Sequence, residues 1–292
     1  MKAAPFAYSR PADIDEACAL LAADDGARVI AGGQSLVPMM AMRLARPTRL
    51  VDIARIASLS YVREEKDGVT IGACTRQYVI ERDALVVKRV PLLARAIPFI
   101  GHAATRARGT IGGSMAHADP AAELPLIAVT LDATLSYRAG GKNNDIAACD
   151  FFTGLMITAL PQGACLTGVR FPVWQGERMG VGFHEVNARR SDFAFVAAAA
   201  QVEIDGDGKC KRIAIGVGAA TDVPIRLEAA EQQLIGGVLD GKKVADAVRA
   251  ALSDIEPLDD LHASAAYRRR TAATLAGRAI ADAKAGALAH AH

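Results

Sequence analysis

"RGTIGGSMAHADPAAELP", residues 108–125, is the stretch of the sequence that decides the fold. A glycine pair stands there between apolar residues, and a run of small residues follows that carries His117, Asp119 and Glu123. Glycine lets a backbone approach a ligand because it has no Cβ, and successive N–H groups in such a turn can hold an anion. By itself the stretch is compatible with a tight turn, a metal site or a phosphate-binding loop.

A second stretch, "VIAGGQSLVP" at residues 29–38, has the same design. A predicted buried strand ends at Gly32 and Gly33, and two polar residues follow at once. One strand–glycine turn is common and says little. Two such motifs, with Gly112 standing 80 residues after Gly32, predict two sides of one elongated anionic ligand. A diphosphate is the natural candidate, because its charge needs many donors.

The donors predicted in the second motif are the hydroxyls of Thr110 and Ser114 and the amides of residues 112–114. A mononucleotide P-loop is excluded, because neither motif is followed by Lys-Ser/Thr. A later stretch, "IAIGVGAAT" at residues 213–221, resembles the dinucleotide fingerprint, but Thr221 occupies the third glycine position. We therefore expect a strand that ends in a loop there, and no nicotinamide Rossmann site.

Several polar side chains have two interpretations. His102, His117 and Asp119 lie close in sequence without the H-E-x-x-H pattern, so a metal site is not expected and His117 becomes a candidate hydrogen-bond donor to a ligand. Glu123 can accept from a sugar or polyol hydroxyl, or it can be a surface or helix-capping carboxylate. "YRRR" at residues 267–270 predicts a solvated helix face.

Composition limits the class of protein. The 292 residues are 51% hydrophobic and carry a formal net charge of +2, which gives no electrostatic reason to propose a nucleic acid or an anionic membrane. No run approaches the roughly 18 apolar residues of a membrane helix. The five cysteines are scattered and odd in number, which favours isolated reduced thiols. The N-terminus lacks the apolar core of a signal peptide, so we expect a cytoplasmic protein.

The order of predicted elements is typical of an α+β protein in several units. Residues 1–56 predict a strand–helix–strand lobe, and residues 57–175 predict a second lobe of mixed strands and helices. Residues 176–285 predict three antiparallel strands, with "DGDGK" as a hairpin turn, followed by helices. Residues 286–292 are expected to form a frayed tail.

With both motifs in this order and spacing, the chain resembles the FAD-binding medium subunit of the molybdenum hydroxylases, the carbon monoxide dehydrogenase and xanthine dehydrogenase type. The resemblance covers nearly the whole chain and includes "IGH" (residues 100–102), "VRFP" (169–172) and "RRSDFA" (189–194). It implies a two-lobed FAD-binding domain of the PCMH or vanillyl-alcohol-oxidase type. A C-terminal lobe with a three-stranded antiparallel sheet and helices follows that domain in the family.

The resemblance also implies how FAD is bound. The first motif and its strand would wrap the diphosphate, the second would close on it from the other lobe, and Glu123 would hold a ribityl hydroxyl. Leu166 would lie near the adenine, Ile100 would line the cofactor, and His184 stands where some relatives carry lysine. The full predicted set is Val29, Ile30, Ala31, Gly32, Gly33, Gln34, Ser35, Leu36, Ile100, Thr110, Ile111, Gly112, Gly113, Ser114, His117, Glu123, Leu166 and His184.

Partners are implied as well. A small [2Fe–2S] subunit and a large molybdopterin subunit would hold the other cofactors, in a dimer of heterotrimers. This chain would bind FAD, with no catalytic residue of its own, and pass electrons to NAD⁺, oxygen or a quinone. Two alternatives stay open: a stand-alone FAD-dependent oxidoreductase of the same superfamily, and a flavin-free assembly scaffold.

Overall fold

The N-terminal part of the chain forms a small parallel sheet with the strand order β1-β3-β2. The computed structural model describes residues 2–289. The strands are β1 (Ala7–Ser9), β2 (Ala27–Ile30) and β3 (Arg49–Asp52). Helix α1 (Ile14–Ala22) precedes β2, and the short α2 (Leu36–Ala41) follows it after a loop of five residues. The expected helix and both expected strands are present, and β1 adds a third strand.

The next part is a five-stranded antiparallel sheet with the order β4-β5-β10-β6-β7. Its strands are β4 (Val62–Glu64), β5 (Gly68–Gly72), β6 (Thr134–Ala139), β7 (Lys142–Ala147) and β10 (Cys165–Pro172). A two-stranded hairpin, β8 (Phe152–Gly154) and β9 (Ile157–Thr158), precedes β10.

Seven helices accompany this sheet, most of them short. They are α3 (Gln77–Arg82), α4 (Ala84–Arg89), α5 (Pro91–Ala96), α6 (Ala103–Arg108), α7 (Ile111–His117), α8 (Glu123–Thr130) and α9 (Ala148–Phe151). The sequence predicts one helix where α3 and α4 stand. The structure divides it at Asp83, whose carboxylate accepts hydrogen bonds from the amides of Leu85 and Val86 at 2.9 and 3.1 Å and so starts a new helix.

The C-terminal part holds the three expected antiparallel strands and a short fourth. They are β11 (Met179–Val186), β12 (Val196–Ile204), β13 (Cys210–Gly218) and β14 (Ile225–Arg226). Three helices follow, α10 (Glu228–Leu234), α11 (Gly241–Ala251) and α12 (Ala265–Ala289). The strand β13 is followed by β14 and not by a helix, which agrees with the rejection of a nicotinamide Rossmann site.

This C-terminal sheet is covered on both faces. Every residue of β12 is buried. Ala197 and Ala199 belong to the same core as α5 and α8, whereas Ala198 and Ala200 belong to the core formed with α12. Successive strand residues point to opposite faces, so alternate residues join the two neighbouring layers. The sheet therefore lies directly against α5 and α8, which stand before and after the second glycine motif.

Helix α12 continues through Ala289, and Ala287 within it is fully buried. Residues 286–289 are therefore helical, which corrects the expectation of a frayed tail from residue 286. Residues 290–292 lie outside the described residues. Within residues 2–289, no helix has the length and apolar character that crossing a bilayer requires.

The "YRRR" stretch is only partly a solvated face, because Arg268 is 3% exposed. Its guanidinium donates to the carbonyl oxygens of Phe195 and, at 2.8 Å, of Ala219, and it pairs with Asp260 at 2.6 Å. The amide of Ala219 in turn donates to the carbonyl of Pro120 at 2.8 Å. Arg268 thus ties α12 to the sheet and, through Ala219, to the stretch that contains the second glycine motif.

Replacing Arg268 with methionine should lower the free energy of unfolding by about 2 to 4 kcal/mol, because two buried carbonyl groups lose their donor. Urea unfolding of the purified chain measures the difference. Arg270→Met is the matched control, since Arg270 is exposed on the same helix, and it should change the free energy by less than about 0.5 kcal/mol. Equal losses in both variants would show that Arg268 does not hold the layers together.

Candidate functional site

The first glycine motif forms a loop of unpaired backbone amides between β2 and α2. Within residues 2–289, the amides of the five residues 32–36 donate to no protein acceptor. Gly33 has a φ of +70°, which side chains other than glycine rarely adopt. The Gln34 side chain braces the loop by donating to the carbonyl of Gly32 at 3.2 Å. Five adjacent free N–H groups make this loop a strong candidate to hold an anion.

The rest of the predicted first motif supports this loop. Val29 and Ile30 lie in β2, where they pair with Val51 and Asp52 of β3. Val29 and Ala31 also pack against the N-terminal core. These contacts fix the end of β2, and so they set the direction in which the free amides point.

The two glycine motifs are in direct contact. A Cβ on Gly32 would lie 2.4 Å from the carbonyl oxygen of Arg108 and 2.9 Å from the Cα of Gly109. The same Arg108 carbonyl accepts a hydrogen bond from the guanidinium of Arg76. Only a residue without a side chain permits this approach, and it places the free amides of the first motif beside Thr110.

The second motif is the start of a helix and not an open loop. Thr110 caps α7, and its Oγ1 accepts from the amide of Gly113 at 3.1 Å. The amides of Ile111 and Gly112 donate to the carbonyls of Thr75 and Ala73, and that of Ser114 donates to Thr110. The amides of residues 112–114 thus each have a partner within the chain, whereas those of residues 32–36 do not.

The second motif still offers a ligand two free hydroxyl groups, those of Thr110 and Ser114, and an open surface at Gly113. No described residue accepts from the Thr110 or the Ser114 hydroxyl, so both protons remain available to a ligand. Gly113 is exposed, and a Cβ there would meet only the Thr110 hydroxyl, at 2.8 Å. Gly112 instead packs against Ala73, with 2.6 Å between its Cβ position and that side chain. Gly112 therefore permits close packing inside the protein, whereas Gly113 keeps the surface beside Thr110 open.

Ile100 lies in a turn that is held from one side by Arg106. The Arg106 guanidinium donates to the carbonyls of Ile100 and Gly101, both at 3.1 Å, and it forms a two-bond ion pair with Glu81 at 2.8 and 3.2 Å. Ile100 itself is 9% exposed. This clamp fixes the wall that Ile100 presents beyond the second motif.

His117 and Asp119 are neighbours at the end of α7. His117 Nε2 stands 4.0 Å from Asp119 Oδ2, and Asp119 Oδ1 accepts from the amide of Ala121 at 2.9 Å. Asp119 thus forms a local turn. Among residues 2–289, no third histidine, cysteine or carboxylate joins the two in a metal-binding group.

Glu123 is the first residue of α8 and is buried, with 9% of its surface exposed. No other described residue donates a hydrogen bond to its carboxylate. The pKa of Glu123 is raised to about 7, chiefly by burial and also by the charge of Asp119, while its own backbone N–H and Arg106 oppose the shift. A buried carboxyl with no donor from another residue retains hydrogen-bonding capacity that a ligand hydroxyl can fill.

Two predicted residues lie away from this surface. Leu166 is in β10, 4% exposed and packed in the core. His184 is on the face of β11 that meets α12, where its Nε2 lies 3.0 Å from Asp282. That face is set by Gly182, whose Cβ position lies 2.1 Å from the Ala279 carbonyl in α12. The strand alternation therefore turns His184 toward α12 and away from the side of β11 that carries Phe183.

Sequence reasoning missed Arg76 and Glu185. Arg76 lies at the contact of the two motifs and has no carboxylate within 4.0 Å in the described chain, but no spacing rule ties it to residues 32 and 108. Glu185 is one residue beyond His184, on the opposite face of β11. Burial and, to a lesser extent, the charge of Glu123 raise the pKa of Glu185 to about 8. Only the strand register distinguishes these two neighbours.

Comparison with known proteins supplies the class of this site. Residues 4–174 match the family model described as the FAD binding domain in molybdopterin dehydrogenase, and residues 182–283 match the CO dehydrogenase flavoprotein C-terminal domain. The chain belongs to this family of FAD-binding subunits. The resemblance expected from the two glycine motifs is confirmed, and with it an FAD-binding domain and the α+β fold.

Relatives match over nearly their full length. The chain is 35% identical to the 6-hydroxypseudooxynicotine dehydrogenase complex subunit alpha of Paenarthrobacter nicotinovorans, over 97% of this chain and 96% of that one. It is 34% identical to the carbon monoxide dehydrogenase medium chain of Afipia carboxidovorans, over 97% and 98%. The solved quinoline 2-oxidoreductase of Pseudomonas putida 86 superposes with a TM-score of 0.93 at 35% identity, covering 99% of this chain and 100% of that one.

The residues at the site fit FAD. Its diphosphate needs several donors, which the five free amides of residues 32–36 and the hydroxyls of Thr110 and Ser114 provide. Its ribityl chain carries hydroxyls, which are the donors that the buried Glu123 carboxyl lacks. The donor set and the buried Glu123 carboxyl thus match a ligand with an anionic centre and a polyol arm.

Gly32→Ala should weaken FAD binding at least tenfold and lower the stability of the chain by about 1 to 3 kcal/mol, because the new methyl group overlaps the Arg108 carbonyl. FAD fluorescence titration and thermal unfolding measure the two effects. Gly206→Ala is the control, since no atom lies within 4 Å of its Cβ position. A Gly32→Ala protein with unchanged FAD affinity would contradict the contact between the motifs.

Glu123→Gln should stabilise the chain stripped of FAD at high pH and not at low pH. The folded-state pKa of about 7 lies above the usual 4.5, so the acid favours folding at low pH, and this contribution is lost as pH rises through 7. We expect the variant to exceed the wild type by about 2 to 3 kcal/mol near pH 8.5 and to match it near pH 4, below the unfolded-state pKa. Denaturant unfolding at both pH values tests this, and equal differences at the two would refute it.

Proposed function

We propose that this chain is the electron outlet of a heterotrimeric molybdenum hydroxylase. In this proposal a small [2Fe–2S] subunit delivers electrons, a large molybdopterin subunit oxidises the substrate, and an external acceptor takes the electrons from this chain. The observation that carries the proposal is the loop of five free amides at residues 32–36, pressed against the second glycine motif. The relatives named as a complex subunit alpha and as a medium chain support a role within a larger assembly.

The chain's own task in this mechanism is to hold and orient FAD. We assign the amides of residues 32–36 to the diphosphate, with the Thr110 and Ser114 hydroxyls donating from the facing motif. We assign the Glu123 carboxyl to a ribityl hydroxyl, and the wall at Ile100 to the ring system. Bound FAD supplies the electron-transfer chemistry, and the protein contributes binding, orientation and electrostatics.

The remaining predicted contacts are assigned more locally. Ile111 and Gly112 support the second motif through their hydrogen bonds to Thr75 and Ala73 rather than through phosphate contacts. We assign His117, whose side chain is 22% exposed in the same helix as Ser114, as a further donor to the ligand. The contact of Leu166 with the adenine stays a prediction from the resemblance, since Leu166 lies buried in the core.

The assembly proposed is a dimer of heterotrimers in the cytoplasm. The five cysteines are all free thiols in the structure, four of them buried, which is compatible with a reducing compartment. The exposed one, Cys149, lies in α9, away from the glycine motifs.

Gly113→Val tests the assigned FAD position without disturbing the core. The valine side chain would project into the open surface beside Thr110, so FAD should be lost while thermal stability changes by less than about 1 kcal/mol. Gly277→Val in α12 is the matched control, because Gly277 is also helical with nothing within 4 Å of its Cβ position. Visible absorption of the purified proteins is the measurement, and a Gly113→Val protein that keeps a full complement of FAD would contradict the assignment.

A test of the electron-outlet role requires the complete complex with its partner subunits. The tagged chain is purified from its native cells, and FAD, iron and molybdenum are quantified in the product; a fixed ratio of all three is expected. The anaerobic complex is then reduced with dithionite, freed of excess reductant and mixed with NAD⁺ or a quinone. The wild-type complex should be reoxidised by one of them, whereas the Gly113→Val complex should keep its iron–sulfur clusters reduced.

Other outcomes of this experiment identify the alternatives. A yellow chain that purifies without iron or molybdenum and oxidises a substrate by itself would indicate a stand-alone oxidoreductase. A complex that assembles without FAD in the wild type would indicate a scaffold. Reoxidation of the Gly113→Val complex at the wild-type rate would overturn the outlet role.

A further inference from the structure

An arginine stands where the two glycine motifs touch. Arg76 directly precedes α3, and its Nη1 donates to the carbonyl oxygen of Arg108. The Cβ position of Gly32 lies 2.4 Å from that same oxygen. The guanidinium and the first residue of the free-amide loop thus contact one atom, which places the positive charge of Arg76 beside the start of that loop.

The backbone of Arg76 fixes its position relative to the second motif as well. Arg76 and Thr110 form an isolated antiparallel bridge. Two backbone hydrogen bonds, of 2.9 and 3.2 Å, join the residues on either side of this pair. In an antiparallel pair of this kind the two opposed side chains lie on the same face and close together. The Arg76 side chain therefore shares a face with the Thr110 hydroxyl.

The charge of Arg76 is not neutralised within residues 2–289, since no carboxylate there forms an ion pair with its guanidinium. Its Nη1 is engaged by the Arg108 carbonyl, and no described residue accepts from its Nε or Nη2. Arg106, by contrast, is already engaged with Glu81 and with two carbonyls. A guanidinium carries several N–H donors in a planar fork, so Arg76 retains both charge and donors for a ligand.

The motifs themselves supply no cation for a diphosphate. Residues 32–36 and 110–114 contain no lysine, arginine or histidine. Their amides and hydroxyls contribute dipoles, whereas a diphosphate carries full negative charges. The Arg108 carbonyl that touches Gly32 also presents a partial negative charge to the same region. A guanidinium bound to that carbonyl offsets its repulsion and adds charge-assisted donors for a phosphate oxygen.

We propose that Arg76 is the cationic partner of the FAD diphosphate, with Nη1 kept on the Arg108 carbonyl and the remaining N–H groups donating to a phosphate oxygen. The assignment rests on the proposed position of the diphosphate at residues 32–36. Arg76 then both holds the contact between the motifs and supplies the positive charge that the motifs lack. FAD affinity depends on ionic strength as a result, because salt screens the attraction between a partly exposed cation and an anion.

The test is FAD titration of the deflavinated full-length chain at about 0.05 M and about 1 M NaCl, followed by flavin fluorescence. Arg76→Met should raise the dissociation constant about tenfold at the lower salt concentration and about threefold or less at the higher one, because salt screens the attraction that the variant lacks. Arg76→Lys keeps the charge and should stay within about threefold of the wild type at both. Arg82→Met, at an exposed arginine that ends α3, is the control and should follow the wild type.

If Arg76 only held the Arg108 carbonyl, Arg76→Met would lose affinity by the same factor at both salt concentrations, and this result would overturn the proposal. An Arg76→Met chain with wild-type affinity at low salt would also overturn it, while the FAD site stands. An equal loss in Arg76→Lys and Arg76→Met would show that the positive charge is not what FAD requires. Absence of FAD binding by the wild type at both salt concentrations would overturn the FAD position itself.

Phosphorus NMR of the FAD-loaded chain provides a second measurement, which does not depend on how well the methionine variant folds. The phosphorus resonances of the bound diphosphate respond to a change in the donors on its oxygens. Arg76→Lys should therefore shift at least one of them relative to the wild type, whereas Arg82→Met should shift none. Unchanged resonances in Arg76→Lys would contradict a contact between Arg76 and the diphosphate.

Discussion

The contact between Gly32 and the backbone of Arg108 and Gly109 is the constraint on which the site depends. It brings together two chain segments that are far apart in sequence, and a single methyl group on Gly32 would prevent it. Because of it, the free amides after β2 and the free hydroxyls of Thr110 and Ser114 lie on one continuous surface. Arg76 reinforces the contact by donating to the same Arg108 carbonyl. The surface proposed for the diphosphate is therefore a product of tertiary packing between two lobes.

The C-terminal sheet completes this arrangement. It is buried on both faces, and Arg268 connects its end, through Ala219, to the carbonyl of Pro120 in the second glycine stretch. The close packing of α12 on Gly180 and Gly182 fixes which side chains of β11 face the FAD-binding domain. Phe183 and Glu185 therefore lie on the side of β11 that faces the FAD-binding domain, where Phe183 packs on Phe99.

Much of the fold and part of the candidate site could be predicted from the sequence. The features that could not be predicted depend on contacts between residues that are distant in sequence. Paired glycine motifs, strand alternation and the "DGDGK" hairpin are local patterns, and they predicted the family, the cofactor and the C-terminal strands. The partners of the Gly112 amide and of Arg268 are distant in sequence, so neither the occupied amides nor the buried guanidinium could be foreseen. His184 and Glu185 are adjacent in sequence. Only the packing of α12 on β11 decides which of the two side chains faces the FAD-binding domain.

The most direct measurement of the central claim is a crystal structure of the chain with FAD bound. In that structure the diphosphate oxygens should lie within about 3.2 Å of several amides of residues 32–36 and of the Thr110 or Ser114 hydroxyl. The amides of Gly112 and Gly113 should keep their partners, Ala73 and Thr110. A diphosphate bound away from residues 32–36, or held by the amides of residues 112–114, would contradict this account of the site.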